Sequence, residues 1–319
     1  MAVAIKASWS NPSTILFATE IPTDERVFRF AVAQAKQFKA HLVLLHAYDT
    51  LVLTGSDATG ARYYDFEASA HVETAHLEPL AERARSQGVD CSLAVRPGLP
   101  SDQILKFAEE HSVDRIMMGT HSPGPIGKLL VGSVAESVLR NATVPVFIVG
   151  PETADGGYRN FETRTILCAV SLAETSIALA QFAAELAVRH KARLILQHVI
   201  IPQEREEALA DRTVGQIEHD LLLLIPEELR DQLEVQAIVV HGDPTEELLF
   251  QSRAQQAELL VLGAQGASAF AAATRNGVVY KVLAGSHCPV ITLSPVLLAK
   301  CGVKVDRRLS SEIFLAGVF

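Results

Sequence analysis

Much of this chain is written twice. Gly98-Leu-Pro100 returns as Gly242-Asp-Pro244, Gly119 as Gly263, and Val144-Pro-Val146 as Cys288-Pro-Val290, each displaced by 144 residues. Asp114 falls against Glu258 at the same spacing. Earlier in the chain, Arg164–Val170 repeats Thr14–Thr19 at an offset of 151, and Ala192–Val199 repeats His41–Ala47, down to a near-terminal histidine (His46, His198). Collinear landmarks of this kind mark a duplicated structural unit. The difference between the two offsets places extra residues in the first copy before Gly98, in the Gly-bearing stretch 48–64.

A length of 319 residues suits two such units, since ordinary compact domains run to roughly 100–200 residues each. The expected division is a first domain over 1–150, a linker over 151–163 with Pro151, Gly156 and Gly157, a second domain over 164–298 and a tail over 299–319. Hydrophobic residues make up 49% of the chain, ample for two cores, yet no apolar run approaches the ~20 residues of a membrane span. No signal-peptide pattern opens the sequence, so the cytoplasm is the expected compartment. The net charge of −9 argues against a nucleic-acid partner, which calls for a basic footprint. Cys91, Cys168, Cys288 and Cys301 are widely spaced without a CxxC pair, a pattern of buried reduced thiols.

Within each copy, short continuous apolar runs alternate with segments of helical periodicity. Thr14–Thr19 and His41–Ala47 read as strands covered on both faces. Between them Val27, Phe30, Ala31, Ala35 and Phe38 recur at helical spacing. Helices are expected near 65–87, 101–111 and 133–141, and strands near 90–96, 114–118 and 144–149. This alternation predicts an α/β fold of two tandem Rossmann-like or flavodoxin-like domains, each a five-stranded parallel sheet flanked by helices. Ligands of such sheets bind beyond the carboxyl ends of the strands. Thr19, Glu20, Ala47, Tyr48, Met118 and Gly119 are therefore expected at one edge.

At that edge the sequence runs Gly119-Thr-His-Ser122-Pro-Gly-Pro-Ile-Gly-Lys128-Leu-Leu-Val-Gly132-Ser133. A glycine-bearing segment between a strand end and a helix start is a cradle for phosphate. Position 122 is Ser and residue 129 is Leu, so this is not a P-loop, and there is no G-x-G-x-x-G. A nucleophile elbow fails by one residue. Ser133-x-x-Glu136 reads as a capping box, which would satisfy helix amides without a ligand. The second copy runs from Gly263 through Gly266 to Asn276-Gly277; there Asn276 is expected as the N-cap, its side chain occupying the amides.

The pattern Gly-x2-Gly-x9-Gly-Ser/Thr, with the five-strand repeat, Gly-x-Pro before the third helix and X-Pro-Val in the last strand, resembles the universal stress protein family across both halves. The resemblance implies an adenosine-nucleotide-binding α/β fold, often dimeric, in a family with ATP-binding and non-binding branches. It implies that the loop glycines and the Ser/Thr hold phosphate and ribose, and that an acid after the first strand fixes the adenosine end. In the first copy Gly119, Gly132 and Ser133 match, Ser122 replaces a glycine and Glu20 replaces the usual Asp. The expected site is Thr19, Glu20, Ala47, Met118, Gly119, Ser122, Lys128, Gly132, Ser133 and Val134. In the second copy Ser171 stands in the acid's place and Gly277 lacks the hydroxyl, so that copy is expected to be a structural pseudo-partner.

The functional expectation is a stress-response module whose first domain binds ATP, with or without Mg2+, and at most hydrolyses it slowly. The alternatives are an interaction scaffold that binds no nucleotide and, further off, an ATP-using enzyme. The apolar last strands are expected to pair edge to edge, giving an intramolecular pseudo-dimer or a homodimer. His71, Glu73 and His76 lack the spacing of a metal site. His46 and His198 read as packing residues, His121 as a neighbour of ligand, and Asp114 and Glu258 as helix–strand boundary contacts. Lys304, Arg307 and Arg308 read as a solvated face, and the apolar Ile313–Phe319 as a docked or frayed end.

Overall fold

In a computed structural model of the chain, the structure describes residues 5–48, 66–120, 131–153, 163–171, 173, 175–201, 213–263 and 277–301, the side chains of 66–69 excepted. The first half contains α1 (Ala7–Ser10), β1 (Thr14–Ala18), α2 (Glu25–Phe38), β2 (His41–Tyr48), α3 (Phe66–Ser86), β3 (Cys91–Pro97), α4 (Pro100–Glu110), β4 (Arg115–Gly119), α5 (Ser133–Asn141) and β5 (Val146–Val149). The second contains β6 (Thr165–Ala169), α6 (Thr175–His190), β7 (Arg193–Ile200), α7 (Val214–Leu222), α8 (Glu227–Arg230), β8 (Val235–His241), α9 (Pro244–Ala254), β9 (Leu259–Gly263), α10 (Val278–Gly285), β10 (Val290–Leu293) and α11 (Pro295–Lys300). The expected strands and helices of the first half all form, with ends shifted by up to two residues. Helix α1 was not anticipated; four residues are too few to leave a periodic signal.

The strands form one sheet in the order β3-β2-β1-β4-β5-β10-β9-β6-β7-β8. Each half is parallel throughout, with the same internal order. Side-chain alternation along each strand feeds two cores, one per face. Ile15 and Phe17 belong to the core that takes Phe28 of α2, Ala81 of α3 and Phe182 of α6. Leu16 and Ala18 belong to the core with Ile104 of α4, Val138 of α5 and Val282 of α10. All four cysteines are buried and free. Burial pushes the thiol of Cys91 up to about 11 and that of Cys288 up to about 12, which keeps both protonated and unreactive.

The duplication extends to backbone detail. Lys39 and Lys191 end α2 and α6 in the left-handed region, and Ser112 and Gln256 do the same after α4 and α9. Gly98 and Gly242 precede those two helices at φ 127° and 154°, a conformation that suits glycine. His46 and His198 are equivalent as well. Their Nδ1 atoms lie 2.9 Å from the Thr19 carbonyl and 3.1 Å from the Val170 carbonyl. A carbonyl only accepts, so each Nδ1 carries the proton, and both rings brace the end of the neighbouring strand.

Asp114 and Glu258 act between strands rather than at a helix boundary. The Oδ2 of Asp114 accepts from Ser13 N (2.9 Å), Ser13 Oγ (2.7 Å) and Thr14 N (3.2 Å), pinning the start of β1 beside β4. Glu258 Oε2 accepts from Thr165 N at 3.2 Å and from Arg164 N, repeating the clamp for β6. Burial alone would raise the Asp114 carboxyl, but the hydrogen bonds from its serine and lysine neighbours hold it below the ordinary value.

The halves meet where β5 and β10 pair antiparallel, with Val146 opposite Thr292, Phe147 opposite Ile291 and Ile148 opposite Val290. This settles the edge pairing within one chain, as an intramolecular pseudo-dimer. Ser294 Oγ donates to the Ala142 carbonyl across the seam and accepts from Leu297 N at 2.9 Å, capping α11. Ser10 of α1 reaches Glu185 of α6 at 3.1 Å. Arg115, fully buried, donates to Gln34 Oε1 (2.5 Å) and to the Trp9 carbonyl (3.0 Å), with its guanidinium 4.9 Å from the Phe38 ring centre. Burial lowers its pKa to about 9. His190 of α6 lies edge-on to Phe38, and burial together with Arg115 lowers its pKa to about 4.

Two outcomes check this arrangement. A Cβ at Gly150 would run into the backbone oxygen of Leu283. Gly150→Ala is expected to cost about 1–3 kcal/mol in urea unfolding, as overpacking does, and an unchanged midpoint contradicts the close approach. Asp114→Asn is expected to lose about 1–3 kcal/mol at pH 7. A lowered folded-state pKa contributes stability above the unfolded value near ~3.9 that vanishes as pH falls through the folded value. The gap between Asp114→Asn and the parent should therefore close on acidification below about pH 4, which parallel urea titrations at several pH values will show.

Candidate functional site

The carboxyl ends of β1, β2 and β4 converge on a cavity of ≈ 510 Å³. Eight of the ten expected residues line it: Thr19, Glu20, Ala47, Met118, Gly119, Gly132, Ser133 and Val134. Ser122 and Lys128 lie outside the described residues, as does His121. Strand register explains the convergence. Phe17, Leu44 and Met117 lie abreast on the three strands, so the residues one to three places further on share the rim.

The corner after β1 shapes one wall. The Ile21–Pro22 peptide is cis. Thr19 Oγ1 donates to the Glu20 carbonyl (3.0 Å) and lies 3.0 Å from Thr23 Oγ1, and Thr19 N donates to the Leu45 carbonyl at 2.9 Å. Asp24 caps α2 by accepting from Arg26 N at 2.9 Å, and its other oxygen lies 3.0 Å from the Arg26 guanidinium. Burial pushes the Asp24 carboxyl up, but Arg26 outweighs it and the pKa is lowered. Asp24 is thus committed to helix and arginine, and Glu20 is exposed at the rim.

The opposite wall is the start of α5. Gly132 N donates to the Thr120 carbonyl at 3.1 Å, which ties together the two ends of the glycine segment. The N-cap of α5 is Gly132, and among the described residues no side chain caps the helix. The capping box expected from Ser133 and Glu136 does not form, because Ser133 is already the first helical residue. Glu136 instead faces Arg140 at 3.7 Å. Gly132, Ser133, Val134 and Ala135, whose amides belong to the first turn of α5, all line the cavity. Ordinary helix ends satisfy such amides with a side chain or water, and an anion does the same.

Sequence reasoning missed Pro22, Thr23, Asp24, Pro100 and Ile104, which also line the cavity. Signals for two of them existed: Asp24 precedes an amphipathic run, and Pro100 belongs to the repeated Gly-x-Pro.

In the second half the corresponding corner is closed on itself. Ser171 N donates to Ser176 Oγ (2.9 Å), the two hydroxyls lie 3.0 Å apart, and Ala173 N donates to Ser171 Oγ at 3.3 Å. Helix α10 starts with Gly277 as its N-cap rather than Asn276, and Asn276 itself lies outside the described residues. Elsewhere, His76 and Glu73 lie 3.4 Å apart and His46 Nε2 approaches Glu73 at 3.9 Å. Among the described residues no cluster of three or more His, Cys, Asp or Glu is placed to hold a metal ion, and no helix is long and apolar enough to cross a membrane. Lys304, Arg307, Arg308 and Ile313–Phe319 lie outside the described residues.

Known proteins resemble this chain in sequence and in fold. The model of the universal stress protein family matches residues 12–150 and 162–294. Universal stress protein MJ0531 of Methanocaldococcus jannaschii is 31% identical over 134 residues, covering 40% of this chain and 79% of that protein. Universal stress protein YxiE of Bacillus subtilis is 32% identical over 126 residues, covering 37% of this chain and 85% of that protein. The crystal structure of a universal stress protein from Archaeoglobus fulgidus superposes with a TM-score of 0.67 over 88% of this chain and 96% of that one; at 18% identity the likeness is one of fold.

Proposed function

We propose that this chain, which belongs to the universal stress protein family, binds an adenine nucleotide, ATP foremost, in the first-half cavity and uses the second half as structural partner. The observation that carries the reading is the uncapped start of α5 opening on a cavity at three strand ends. Helix amides free of a side-chain cap, with a serine hydroxyl among them, suit phosphate oxygens. Leu45, Ala47, Ile104 and Met118 offer an apolar wall for a flat base. Glu20 is the carboxylate at the rim positioned to accept from ribose hydroxyls. The cavity volume falls within the roughly 300–1,000 Å³ of small-molecule sites.

The binding unit in this reading is the domain over 1–150, joined by 151–163 to the partner domain over 164–298, with a tail over 299–319. Ser122 and Lys128 complete the phosphate cradle, and Mg2+ accompanies the triphosphate. The nucleotide acts by linkage: a ligand at ~100 times its Kd stabilises the folded state by about 2.7 kcal/mol. Turnover is not part of the reading, since Asp24 is committed to Arg26 and no activated nucleophile lines the cavity among the described residues.

Equilibrium binding of labelled ATP to the full chain tests this. Saturable binding is expected, and Ser133→Ala should weaken it about tenfold, the equivalent of one charge-assisted hydrogen bond at about 1.4 kcal/mol. Absence of saturable binding, or full affinity in Ser133→Ala, overturns the assignment.

A further inference from the structure

The second half loses the charged groups of the first-half cavity but gains polar ones of its own. Parallel register makes Gln197 of β7 the counterpart of Leu45 of β2: Thr14 lies opposite His41 and Thr165 opposite Arg193, which carries Leu45 onto Gln197. Leu45 lines the first-half cavity. Alternation along β7 puts Gln197 on the same face as Ile195, within the core that contains Leu248 of α9, Leu262 of β9 and Val278 of α10. Gln197 is 1% exposed, and neither its amide nitrogen nor its amide oxygen has a hydrogen-bond partner.

A second observation lies on the facing helix. Pro244 and Leu248 of α9 are the counterparts of Pro100 and Ile104, which line the first-half cavity. Next to Pro244, Thr245 is buried on the inward face of α9, with Leu248 and Ser252, and its hydroxyl is likewise buried without a partner. Leaving a buried polar group without a partner is costly, so a side chain presenting two at once is rare in a settled core. In the first half the same positions carry apolar Leu45 and the partly exposed Ser101. The orphaned groups are thus specific to the half that lacks the nucleotide features.

We propose that the second half binds a small uncharged ligand through the Gln197 amide and the Thr245 hydroxyl, at the counterpart of the nucleotide cavity. The amide offers one donor edge and one acceptor edge side by side, which fits a ligand with an adjacent acceptor and donor, such as a primary carboxamide or a free nucleobase. Charge selects against a nucleotide. Ser171 replaces Glu20, Thr175 replaces Asp24, Gly277 replaces Ser133, and the counterparts of other first-half lining residues, Ala169, Val199, Leu248 and Val278, are buried and apolar. An ion taken into such surroundings would be left unpaired.

The full chain, titrated with nicotinamide and with adenine as neutral probes and observed by saturation-transfer NMR, decides the matter. Saturable binding of at least one probe is expected in the presence of excess ATP. Gln197→Leu, which restores the first-half residue type, should weaken it at least tenfold, and Ser133→Ala should leave it unchanged. Should Gln197→Leu fold poorly, the isosteric Thr245→Val is expected to weaken the same probe. Binding of neither probe overturns the proposal, as does a response displaced by ATP or indifferent to both second-half substitutions. A loss confined to Ser133→Ala places the probe in the first-half cavity and also overturns it. ATP binding measured on the same proteins reports the first-half site independently.

Discussion

The antiparallel pairing of β5 with β10 is the contact on which the remaining architecture rests. A five-stranded parallel unit ends in an apolar strand with one unpaired edge. Here each unit supplies the edge the other lacks, so Phe147 and Ile291 are buried in the middle of a ten-stranded sheet. The pairing brings α5 of one half against α11 of the other, where Ser294 bonds both its own helix and the Ala142 carbonyl. It also brings α2 towards α6, which encloses Arg115. A buried arginine is tolerable there because two acceptors and an aromatic face meet its terminal nitrogens and its flat face, leaving only Nε without a partner.

Duplication followed by divergence explains the asymmetry of the two strand-end regions. Structural positions were kept in both copies: the carboxylate that pins the first strand, the histidine that braces its end and the left-handed residues that follow α2 and α4 in one half and α6 and α9 in the other. These act within the fold and have no reason to differ. Positions facing the cavity diverged. Glu20 stands exposed, whereas Ser171 is absorbed into a closed serine pair, and Leu45 has become Gln197. Retained scaffold with altered lining is the pattern expected when two copies share stability but not ligand.

Most of the scaffold was legible in the sequence because parallel strands buried on both faces leave unbroken apolar runs, and the repeat supplied each strand twice. The convergence of Thr19, Ala47 and Met118 followed from topology alone. What escaped depended on tertiary context. Helix α1 is too short for periodicity, and Arg115 reads as an ordinary charged residue until Phe38 and Gln34 close over it. The capping box at Ser133 failed because the backbone makes Gly132 the N-cap and Ser133 the first helical residue. Gln197 stands out only through the strand register, which shows that it replaces Leu45.

The proposed nucleotide site occurs once in a chain that carries two copies of the unit. Isothermal titration calorimetry of the full chain with ATP and Mg2+ tests this directly through its stoichiometry. A single transition ending at one nucleotide per chain is expected. Two nucleotides per chain, or no heat of binding at all, contradicts it.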